Sequence, residues 1–440
     1  MTEKNIFDEI KTPDGFETEN KCPEKAILVS VVLEDGDLMD PDSSLDELEA
    51  LLETAGGTSC GRLIQSRQKP EHATYIGSGK LSELTELCHN MSIDLVVFDC
   101  ELSPSQIRNV ELALDGVRVI DRTMLILDIF AQRARTGEGI LQVAIANLKY
   151  TLPRLSGQGD GLSRLGGGIG TRGPGETKLE VDRRHVKRKI QKLEEDLAEL
   201  AKKRSTQRKS REKSGIFQIS LAGYTNAGKS TLLNLLCQDN IFAEDKLFAT
   251  LDPTTRRLRL PNYGEVLLTD TVGFINRLPH HLVEAFQSTL DEVVYSDLVL
   301  VVMDATDPKF SQKTAITEGI LTDLYEKRGV TPPATLYVLN KTDCPESRFN
   351  VEAFPKNLEH VCISAKTGKN ADKLIERIES VLSEAKKQCT FLIPHTEGGR
   401  LSYLYKVANV SSVEYLPEGI LVEAVCDEKT RGSLSRFLKN

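Results

Sequence analysis

One octapeptide constrains the fold of this chain more than any other feature. GYTNAGKS, from Gly223 to Ser230, fits the pattern G-x-x-x-x-G-K-[ST] in full. It follows a predicted strand, Phe217 to Leu221, and opens a predicted helix, Thr231 to Cys237. Glycines between a strand and a helix let backbone N–H groups surround a phosphate chain at the helix N-terminus. The pattern therefore predicts an α/β domain with a phosphate-binding loop.

The residue types in this loop also predict a metal ion. Lys229 can reach the β- and γ-oxygens of a nucleoside triphosphate, and the Ser230 hydroxyl can bind Mg²⁺. Chance would place such a string in about one or two per cent of chains of this length, so an idle glycine turn is the weaker interpretation. The candidate phosphate-binding residues are Gly223, Tyr224, Thr225, Asn226, Ala227, Gly228, Lys229 and Ser230.

A second motif, DTVG, comes at the end of the predicted strand EVLLTD. Asp270 could hold Mg²⁺ through water, and the N–H of Gly273 could sense a γ-phosphate. The pattern D-x-x-G occurs about once or twice per chain by chance, so its weight comes from its place after the phosphate-binding loop. The candidate residues are Asp270, Thr271, Val272 and Gly273.

A third motif, NKTD, follows the predicted strand LYVL and indicates which base is bound. A carboxylate at Asp343 can accept both the N1–H and the exocyclic amine of guanine, whereas adenine has no such donor pair. Lys341 would cover the face of the base, and Asn340 would tie this segment to the phosphate-binding loop. The alternative is a simple Asx turn. The candidate base-binding residues are Asn340, Lys341, Thr342, Asp343, Ser364, Ala365 and Lys366.

Strand and helix patterns alternate along the chain and predict several domains. The fold class is α/β: a P-loop GTPase domain is preceded by a small α/β domain with a helical hairpin arm and followed by a short C-terminal α+β domain. The predicted ranges are 1–24 for a disordered lead-in, 25–122 for the N-terminal domain, 123–213 for the arm, 215–386 for the GTPase domain and 390–440 for the C-terminal domain.

The predicted arm consists of two helices joined by a glycine-rich loop. Thr123 to Leu155 is predicted to be one long helix, broken at most at Gly137 and Gly139. Gly157 to Gly175 contains nine glycines in nineteen residues, which predicts a mobile loop. A second helix, from Glu176 to about Lys209, carries one apolar stripe: Leu179, Val186, Ile190, Leu193, Leu197 and Leu200.

The second helix of the arm is strongly basic. Arg183 to Lys213 holds thirteen Lys/Arg and five Asp/Glu, a net charge of +8 in 31 residues. A solvated helix face is the usual explanation for such charge. The basic residues around the glycine loop favour contact with RNA phosphates instead, and they are Arg154, Arg164, Arg172 and Lys178. Aromatic residues for base stacking are missing, so this contact would be electrostatic and sensitive to salt.

The composition bears on the compartment and on the class of partner that this protein can have. The net charge of the chain is -9, and most of the negative charge lies in an acidic stretch at residues 1–53, with 16 acids and 4 bases. Because the acidity is local, it does not exclude a nucleic-acid partner for the rest of the chain. The longest apolar run, Leu298 to Met303, is far shorter than the roughly 20 residues of a membrane-spanning helix. The acidic N-terminus does not resemble a secretory signal, and the nine scattered cysteines form no CxxC pair. We expect a cytoplasmic protein with reduced thiols.

Taken in order, GYTNAGKS, DTVG, NKTD and SAK resemble the guanine-nucleotide motifs of translation-factor-related GTPases. Four flanking strings are similar to the HflX family of ribosome-associated GTPases: IGSGK at 76–80, IDRTMLILDIFAQRART at 120–136, GPGETKLEVDRR at 173–184 and LFATLDPTTR at 247–256. The resemblance covers residues 26 to 385, and the tail beyond Gln388 resembles the family only loosely.

The resemblance implies a first switch and completes the set of site residues. Its candidates are Phe248, Ala249, Thr250, Leu251 and Asp252, with Thr250 closing on Mg²⁺ and the γ-phosphate. The residues themselves leave Thr250, Thr254 and Thr255 open, because all three are expected in a polar loop. The implied catalytic residues are Lys229, Thr250 and Gly273, and the implied metal ligands are Ser230 and Thr250.

The resemblance also implies partners. The N-terminal domain and the arm would bind the large (50S) ribosomal subunit and its rRNA near the peptidyl-transferase region, and the protein would split stalled ribosomes. A monomer that binds no membrane is expected. Two other functions stay open: a nucleotide-dependent RNA remodeller that also uses ATP, and a regulatory module in which GTP occupancy without useful turnover controls association.

Three further residues or strings invite interpretation. Phe274 stands where Ras-like enzymes carry a water-orienting glutamine, so we expect slow hydrolysis by the isolated protein and acceleration by the ribosome. The alternative is that Phe274 only packs under the switch. Asn226 stands where some related GTPases hold K⁺, which makes K⁺ a hypothetical cofactor. IGSGK lacks the remaining residues of a phosphate-binding loop and is better interpreted as a turn before a helix.

Overall fold

The computed structural model describes residues 23–33, 40–155, 178–214, 216–237, 247–248, 250–261, 263–276, 287–384 and 386–439. The predicted glycine-rich loop and nearly all of the predicted lead-in lie outside these residues. The chain divides into two compact units. The first contains 1–200, 244–252 and 272–288, and the second contains 201–243, 253–271 and 289–440. Two short segments of the predicted GTPase domain therefore belong to the first unit.

A four-stranded parallel sheet forms the centre of the first unit. Its order is β2-β1-β3-β4, with β1 at Lys25–Leu33, β2 at Thr58–Arg67, β3 at Leu95–Phe98 and β4 at Arg118–Asp121. Strand β1 is almost entirely apolar because both of its faces are covered. Leu28 belongs to one buried cluster and the adjacent Val29 to another. The predicted α/β domain with a parallel sheet is confirmed.

Helices join and cover these strands, and local capping sets where several of them begin. They are α1 at Pro41–Ala55, α2 at Ser78–Met91, α3 at Pro104–Ala113, α4 at Arg122–Arg133 and α5 at Gly137–Thr151. Asp40 caps α1 by accepting a hydrogen bond from the Ser43 N–H at 2.9 Å. Ser103 and Gln106 form a capping box at α3.

The predicted single helix from Thr123 to Leu155 is wrong. The structure has two helices, α4 and α5, which separate at residues 134–136, before the glycines. Ala134 has an extended backbone, and the Thr136 hydroxyl caps α5 by accepting from the Gly139 N–H at 3.0 Å. The side-chain cap at Thr136 determines where the break falls. Gly139 therefore lies in the first turn of α5.

Helix α6, Lys178–Ser214, packs against α5 through part of its predicted apolar stripe, Leu193 and Leu197. Leu193 is buried against Ala144 and Ile145, and the ammonium group of Lys149 lies 2.7 Å from the Glu194 carboxylate. The opposite side of α5 faces the sheet: Val143 and Tyr150 share a buried cluster with Leu28. The domain boundaries stay predictions, but the core of the four-stranded sheet extends beyond residue 122.

A six-stranded sheet of order β10-β9-β8-β5-β7-β6 forms the centre of the second unit. Neighbouring strands are parallel except β6 and β7, which form an antiparallel pair. The strands are β5 at Gln218–Ala222, β6 at Thr254–Leu260, β7 at Gly264–Asp270, β8 at Leu298–Asp304, β9 at Ala334–Asn340 and β10 at His360–Cys362. The helices are α7 at Lys229–Cys237, α8 at Gln287–Val294, α9 at Phe310–Arg328, α10 at Ser347–Ala353 and α11 at Ala371–Glu384.

This topology brings the predicted motifs to one edge of the sheet. The phosphate-binding loop follows β5, Asp270 ends β7 and Asn340 ends β9. Because these strands are parallel, their carboxyl ends share an edge, which is where ligands bind in open α/β sheets. The predicted P-loop domain is confirmed in its strand pattern and in this arrangement.

The C-terminal part is a small α+β structure, as the sequence predicts. Strands β11 at Lys386–Ile393, β12 at Asn409–Leu416 and β13 at Gly419–Asp427 form an antiparallel sheet of order β11-β13-β12. Helices α12 at Gly399–Val407 and α13 at Glu428–Ser433 accompany it. Phe391 and Val422 are completely buried in its core.

Two kinds of feature are absent from the residues that the structure describes. None of their helices combines the length and the apolar character needed to cross a membrane. None of their His, Cys, Asp and Glu side chains form a group of three or more that could hold a metal ion.

Candidate functional site

The phosphate-binding loop has a backbone that only certain residues can adopt. Gly223 has φ +142°, and a Cβ there would lie 2.1 Å from the carbonyl oxygen of Val302. Gly228 has φ +92°, and a Cβ there would lie 2.3 Å from the side-chain nitrogen of Asn340. Asn226, with φ +60°, is one of the residue types that tolerate the left-handed region. The two glycines of the motif are thus required by close approach of neighbouring groups.

Lys229 is buried at the start of α7, and its ammonium group is held by the loop. The Nζ atom donates to the carbonyl oxygens of Gly223, at 3.1 Å, and Tyr224, at 2.9 Å. Burial lowers the pKa of Lys229 to about 8, and the negative charge of Asp270 opposes this shift. The ammonium group therefore lies at the loop, where it binds two of the loop's carbonyl groups.

The structure brings together two residues predicted to serve a magnesium ion. The Ser230 hydroxyl donates to Oδ2 of Asp270 at 2.6 Å. This contact arises because β5 and β7 are paired in parallel, with Leu221 opposite Asp270. Thr271 is anchored at the same place, since its hydroxyl donates to the Leu221 carbonyl at 2.6 Å. A hydroxyl and a carboxylate oxygen are the ligand types that suit Mg²⁺, so these residues fit the ion.

Asn340 links the base-recognition motif to the phosphate-binding loop. Its side-chain nitrogen donates to the Ala227 carbonyl at 2.9 Å, and its side-chain oxygen accepts from the Ala365 N–H at 2.8 Å. Asn340 is almost completely buried, so both bonds are shielded from water. One amide thus connects the loop after β5, the end of β9 and the segment after β10.

Asp343 is exposed beside these groups and carries a negative charge. A hydrogen bond from the Ser364 side chain lowers the pKa of Asp343, and the charges of Lys366 and Lys369 add to this effect. Thr342 is fixed through its N–H and its hydroxyl, which both donate to the Ile363 carbonyl, at 3.0 and 2.8 Å. A charged carboxylate held at this position can accept the two donors of guanine.

The predicted first switch belongs to the first unit, where two of its side chains are buried. Phe248 and Leu251 are buried in the cluster that contains Phe130, and the rings of Phe248 and Phe130 meet edge to face at 4.7 Å. Thr250 lies between these two anchors and is partly exposed. Ala249 lies outside the described residues.

Asp252, the last residue of this switch, is held by three hydrogen bonds. Its Oδ2 atom accepts from the N–H groups of Arg135 and Thr136, both at 2.9 Å, and its Oδ1 atom accepts from the Thr136 hydroxyl at 2.5 Å. The expected role of Asp252 was a share in the nucleotide site. Within the first unit its carboxylate binds the turn that precedes α5, and its share in the nucleotide site stays a prediction.

Thr254 and Thr255 are expected from the sequence in a polar loop, but the structure places both in a strand. Both belong to β6, where they pair with Asp270 and Thr269 of β7, and the hydroxyls of Thr255 and Thr269 are 3.0 Å apart. Their backbone groups are thus committed to the sheet. Thr250 is the member of the three that lies outside a strand.

The second switch also contributes buried residues to the first unit. Val272 and Ile275 belong to the same cluster as Phe248, and Phe274 is buried with 2% of its surface exposed. Gly273 lies between them outside any strand or helix. The buried position of Phe274 agrees with packing under the switch and leaves its proposed effect on hydrolysis a prediction.

Sequence analysis missed Arg122, which holds the segment after DTVG. Its guanidinium group is buried, lies 2.7 Å from Asp99, pairs with Glu47, and donates to the Asn276 carbonyl at 3.2 Å. The signal is an arginine in the mainly apolar string IDRTMLILDIF, where a buried charge needs partners. Those partners are far away in sequence, so the string alone could not identify them.

Comparisons with known proteins agree with this arrangement. Residues 42–131 match the family described as GTP-binding GTPase N-terminal, and residues 133–211 match GTP-binding GTPase middle region. Residues 218–341 match the family described as 50S ribosome-binding GTPase. The first two matches meet near residue 132, and the third begins at residue 218, the first residue of β5.

Relatives of similar length share much of the sequence. GTPase HflX of Caldanaerobacter subterraneus subsp. tengcongensis is 47% identical over 429 residues, which cover 97% of this chain and 97% of the relative. GTPase HflX of Escherichia coli is 41% identical over 398 residues, covering 90% of this chain and 91% of the relative. Among solved structures, a GTP-binding protein from Sulfolobus solfataricus in complex with GDP is 25% identical in sequence to this chain. The match covers 82% of this chain and 99% of that protein, with a TM-score of 0.43.

Proposed function

This chain belongs to the HflX family of GTPases, and on that basis we propose that it binds the large ribosomal subunit in its GTP-bound state and separates the subunits of stalled ribosomes. Its GTPase domain binds and hydrolyses GTP, and the family description of that domain associates it with the ribosome. The single observation that carries the assignment of the site is the position of Asn340, which joins the phosphate-binding loop to the segment that follows β10.

In the proposed mechanism, Lys229 and the backbone of the loop bind the phosphates. Lys229 leaves its carbonyl partners and donates to phosphate oxygens, while Asp343 accepts the two donors of the guanine. Ser230 and Thr250 are the proposed ligands of Mg²⁺, with Asp270 acting through water. The ion, when bound, would neutralise charge on the phosphate oxygens. Gly273 would report the γ-phosphate through its N–H group.

Release after hydrolysis follows from the loss of the γ-phosphate contacts. Thr250 and Gly273 both lie in segments that the rest of the first unit anchors, at Asp252 and at Asn276. Without the γ-phosphate, Thr250 and Gly273 would lose the contacts that keep them ordered around the nucleotide. We therefore expect the conformation of the first unit, which contains both anchors, to depend on whether GTP or GDP is bound.

Helix α6 is the proposed contact with ribosomal RNA. Lys187, Arg188 and Lys192 are exposed on it, and no aromatic side chain accompanies them. Basic side chains on a solvent-facing helix bind RNA phosphates without reading bases, and the binding weakens as salt rises. The charge of the helix is thus consistent with attachment to the large subunit, in which rRNA phosphates are exposed.

The first experiment compares cosedimentation of the full chain with purified large and small ribosomal subunits. We expect binding to the large subunit with a non-hydrolysable GTP analogue and weaker binding with GDP. A variant with Lys187, Arg188 and Lys192 changed to Glu should lose this binding, whereas the control variant Lys327→Glu should keep it. Equal binding with both nucleotides, or to neither subunit, contradicts the proposal.

A second experiment separates the switch from a module controlled by GTP occupancy. Lys229→Ala should abolish both GTP hydrolysis and the separation of ribosomal subunits, measured by light scattering. A variant that hydrolyses no GTP and still separates subunits would favour the regulatory module. Stimulated unwinding of an RNA duplex with ATP would favour the RNA remodeller.

A further inference from the structure

An ion pair lies next to the base-recognition motif and involves a residue outside it. The ammonium group of Lys341 donates to Oδ2 of Asp304 at 2.6 Å. Asp304 is the last residue of β8, and it lies directly opposite Asn340, the last residue of β9. Because the two parallel strands end level, the residue after β9 lies within reach of the residue that ends β8.

Asp304 is held in place by the turn that follows it. Its other carboxylate oxygen, Oδ1, accepts from the Thr306 N–H at 2.9 Å and from the Thr306 hydroxyl at 2.6 Å. The Ala305 N–H donates to the Asn340 carbonyl at 3.0 Å, and the Asn350 amide donates to the Ala305 carbonyl at 2.9 Å. The carboxylate that meets Lys341 is therefore fixed by the surrounding structure.

Both the backbone of Lys341 and the ammonium end of its side chain are fixed. Its φ is +63°, in the left-handed region, so the direction of its Cβ is determined by an uncommon conformation. Its ammonium group is bound at Asp304, and a third of its side chain remains exposed. The methylene stem thus runs between two fixed points. A lysine stem that is already ordered loses little entropy when a flat ring packs against it.

We propose that Asp304 is a positioning residue for guanine nucleotides: it holds the ammonium group of Lys341 so that the methylene stem is ready to cover the base. This inference rests on the proposed placement of the guanine between Lys341 and Asp343. Asp304 acts through Lys341 and lies outside the phosphate-binding loop. GTP and GDP should therefore lose the same factor in affinity when it is changed, and the rate of hydrolysis of bound GTP should not change.

The test uses Asp304→Asn in the full chain. Asparagine keeps the shape, and when its oxygen accepts from Thr306 its NH2 group faces Lys341 and cannot accept a hydrogen bond. We expect affinity for both GDP and GTP to fall about fivefold by calorimetry, with KM raised and kcat unchanged. The matched control is Asp291→Asn, which removes a comparably exposed partner of Arg328, at 2.6 Å. Its nucleotide affinity should equal that of the unchanged chain.

A double-mutant cycle shows whether Asp304 acts through Lys341. Once Lys341→Met has removed the ammonium group, adding Asp304→Asn should cause no further loss of affinity. Losses that add in the double variant, a change in kcat, or unchanged affinity in Asp304→Asn would overturn the inference. If Asp304→Asn does not fold, Thr306→Val, which removes one of the bonds that fix the carboxylate, should weaken GDP and GTP equally and to a smaller degree.

A third variant separates failure of this inference from failure of the base site itself. Asp343→Asn should lose guanine nucleotides and gain affinity for xanthosine diphosphate, because its amide donates to the carbonyl that replaces the exocyclic amine. If Asp343→Asn stays selective for guanine, the placement of the base is wrong. If it switches and Asp304→Asn binds normally, only the role of Asp304 is wrong.

Discussion

The carboxylate of Asp252 binds the N-terminus of helix α5 through Thr136. It accepts the N–H of Thr136 at 2.9 Å, and its other oxygen accepts the Thr136 hydroxyl. The same hydroxyl accepts the Gly139 N–H at 3.0 Å, so the switch residue and the helix cap form one network. An acidic side chain at a helix N-terminus also interacts favourably with the helix dipole. The first switch is thereby attached to the helix that packs against the basic helix α6.

A methyl group at Gly139 should detach the first switch. A Cβ at this position would lie 2.3 Å from Oδ1 of Asp252, so Gly139→Ala must displace the carboxylate. We expect faster hydrogen exchange in the peptide 247–253 and a loss of stability of about 1 kcal/mol, as for a lost helix cap. The control is Gly137→Ala in the same helical turn, where nothing lies within 4 Å of the added atom. Equal exchange in the two variants contradicts the attachment.

Removal of the Arg122 charge should destabilise the first unit strongly. Asp99 and Glu47 are buried, with side chains 1% and 7% exposed, and Arg122→Met would leave both carboxylates without their shared cation. We expect a loss of about 3–5 kcal/mol in the free energy of unfolding, measured by urea titration. Adding Asp99→Asn and Glu47→Gln to this variant should recover part of the loss. If the triple variant is less stable than Arg122→Met, buried charge is not the cause.

Asp128→Asn should stabilise the protein at neutral pH. Burial raises the pKa of Asp128 to about 6, partly opposed by the charge of Arg118. The folded state therefore binds this proton more tightly than the unfolded state, so stability falls as the pH rises from about 4 to 6, and the ionised carboxylate costs about 3 kcal/mol above that range. Unfolding in urea at pH 7.5 should show Asp128→Asn as the more stable form, and the difference should shrink at pH 4.5. A gain that is equal at both pH values would exclude the carboxylate charge as its cause.

Phe274 should make the isolated protein a slow enzyme. Its buried ring has no polar group to orient the attacking water, so we expect turnover on the order of 10⁻³ per second without a partner. Large ribosomal subunits should accelerate phosphate release at saturating GTP, and small subunits serve as the control. Rapid turnover by the purified chain, unchanged by either subunit, would show that the enzyme orients its water without help.

Asn226 should make hydrolysis depend on the monovalent cation if its side-chain oxygen binds K⁺. It has a left-handed backbone at the exposed tip of the phosphate-binding loop. We expect faster GTP hydrolysis in KCl than in NaCl at equal ionic strength, and no difference in Asn226→Ala. The rates are compared at saturating GTP so that affinity does not contribute. Equal rates in both salts for the unchanged chain remove K⁺ from the proposed cofactors.

Much of the fold could be predicted because short-range patterns specify it. The apolar run of β1 predicts a strand covered on both faces, and the glycines of GYTNAGKS predict a loop that approaches other backbone closely. The break between α4 and α5 was misplaced because a hydroxyl of Thr136 and the distant Asp252 determine it. Thr254 and Thr255 were assigned to a loop because the antiparallel pairing of β6 with β7 leaves a weak local pattern.

The amino-acid sequence alone determined the class of the ligand, because phosphate and guanine recognition each depend on a few residues that are adjacent in the chain. The tertiary structure decided how those residues are held. Arg122 meets the carbonyl of Asn276 across 154 residues, Asp252 meets Thr136 across 116, and Lys341 meets Asp304 across 37. Such pairs form only when the folded chain brings distant segments together, and no local spacing encodes that meeting. Charged groups at these places are stable because folding brings their partners to them.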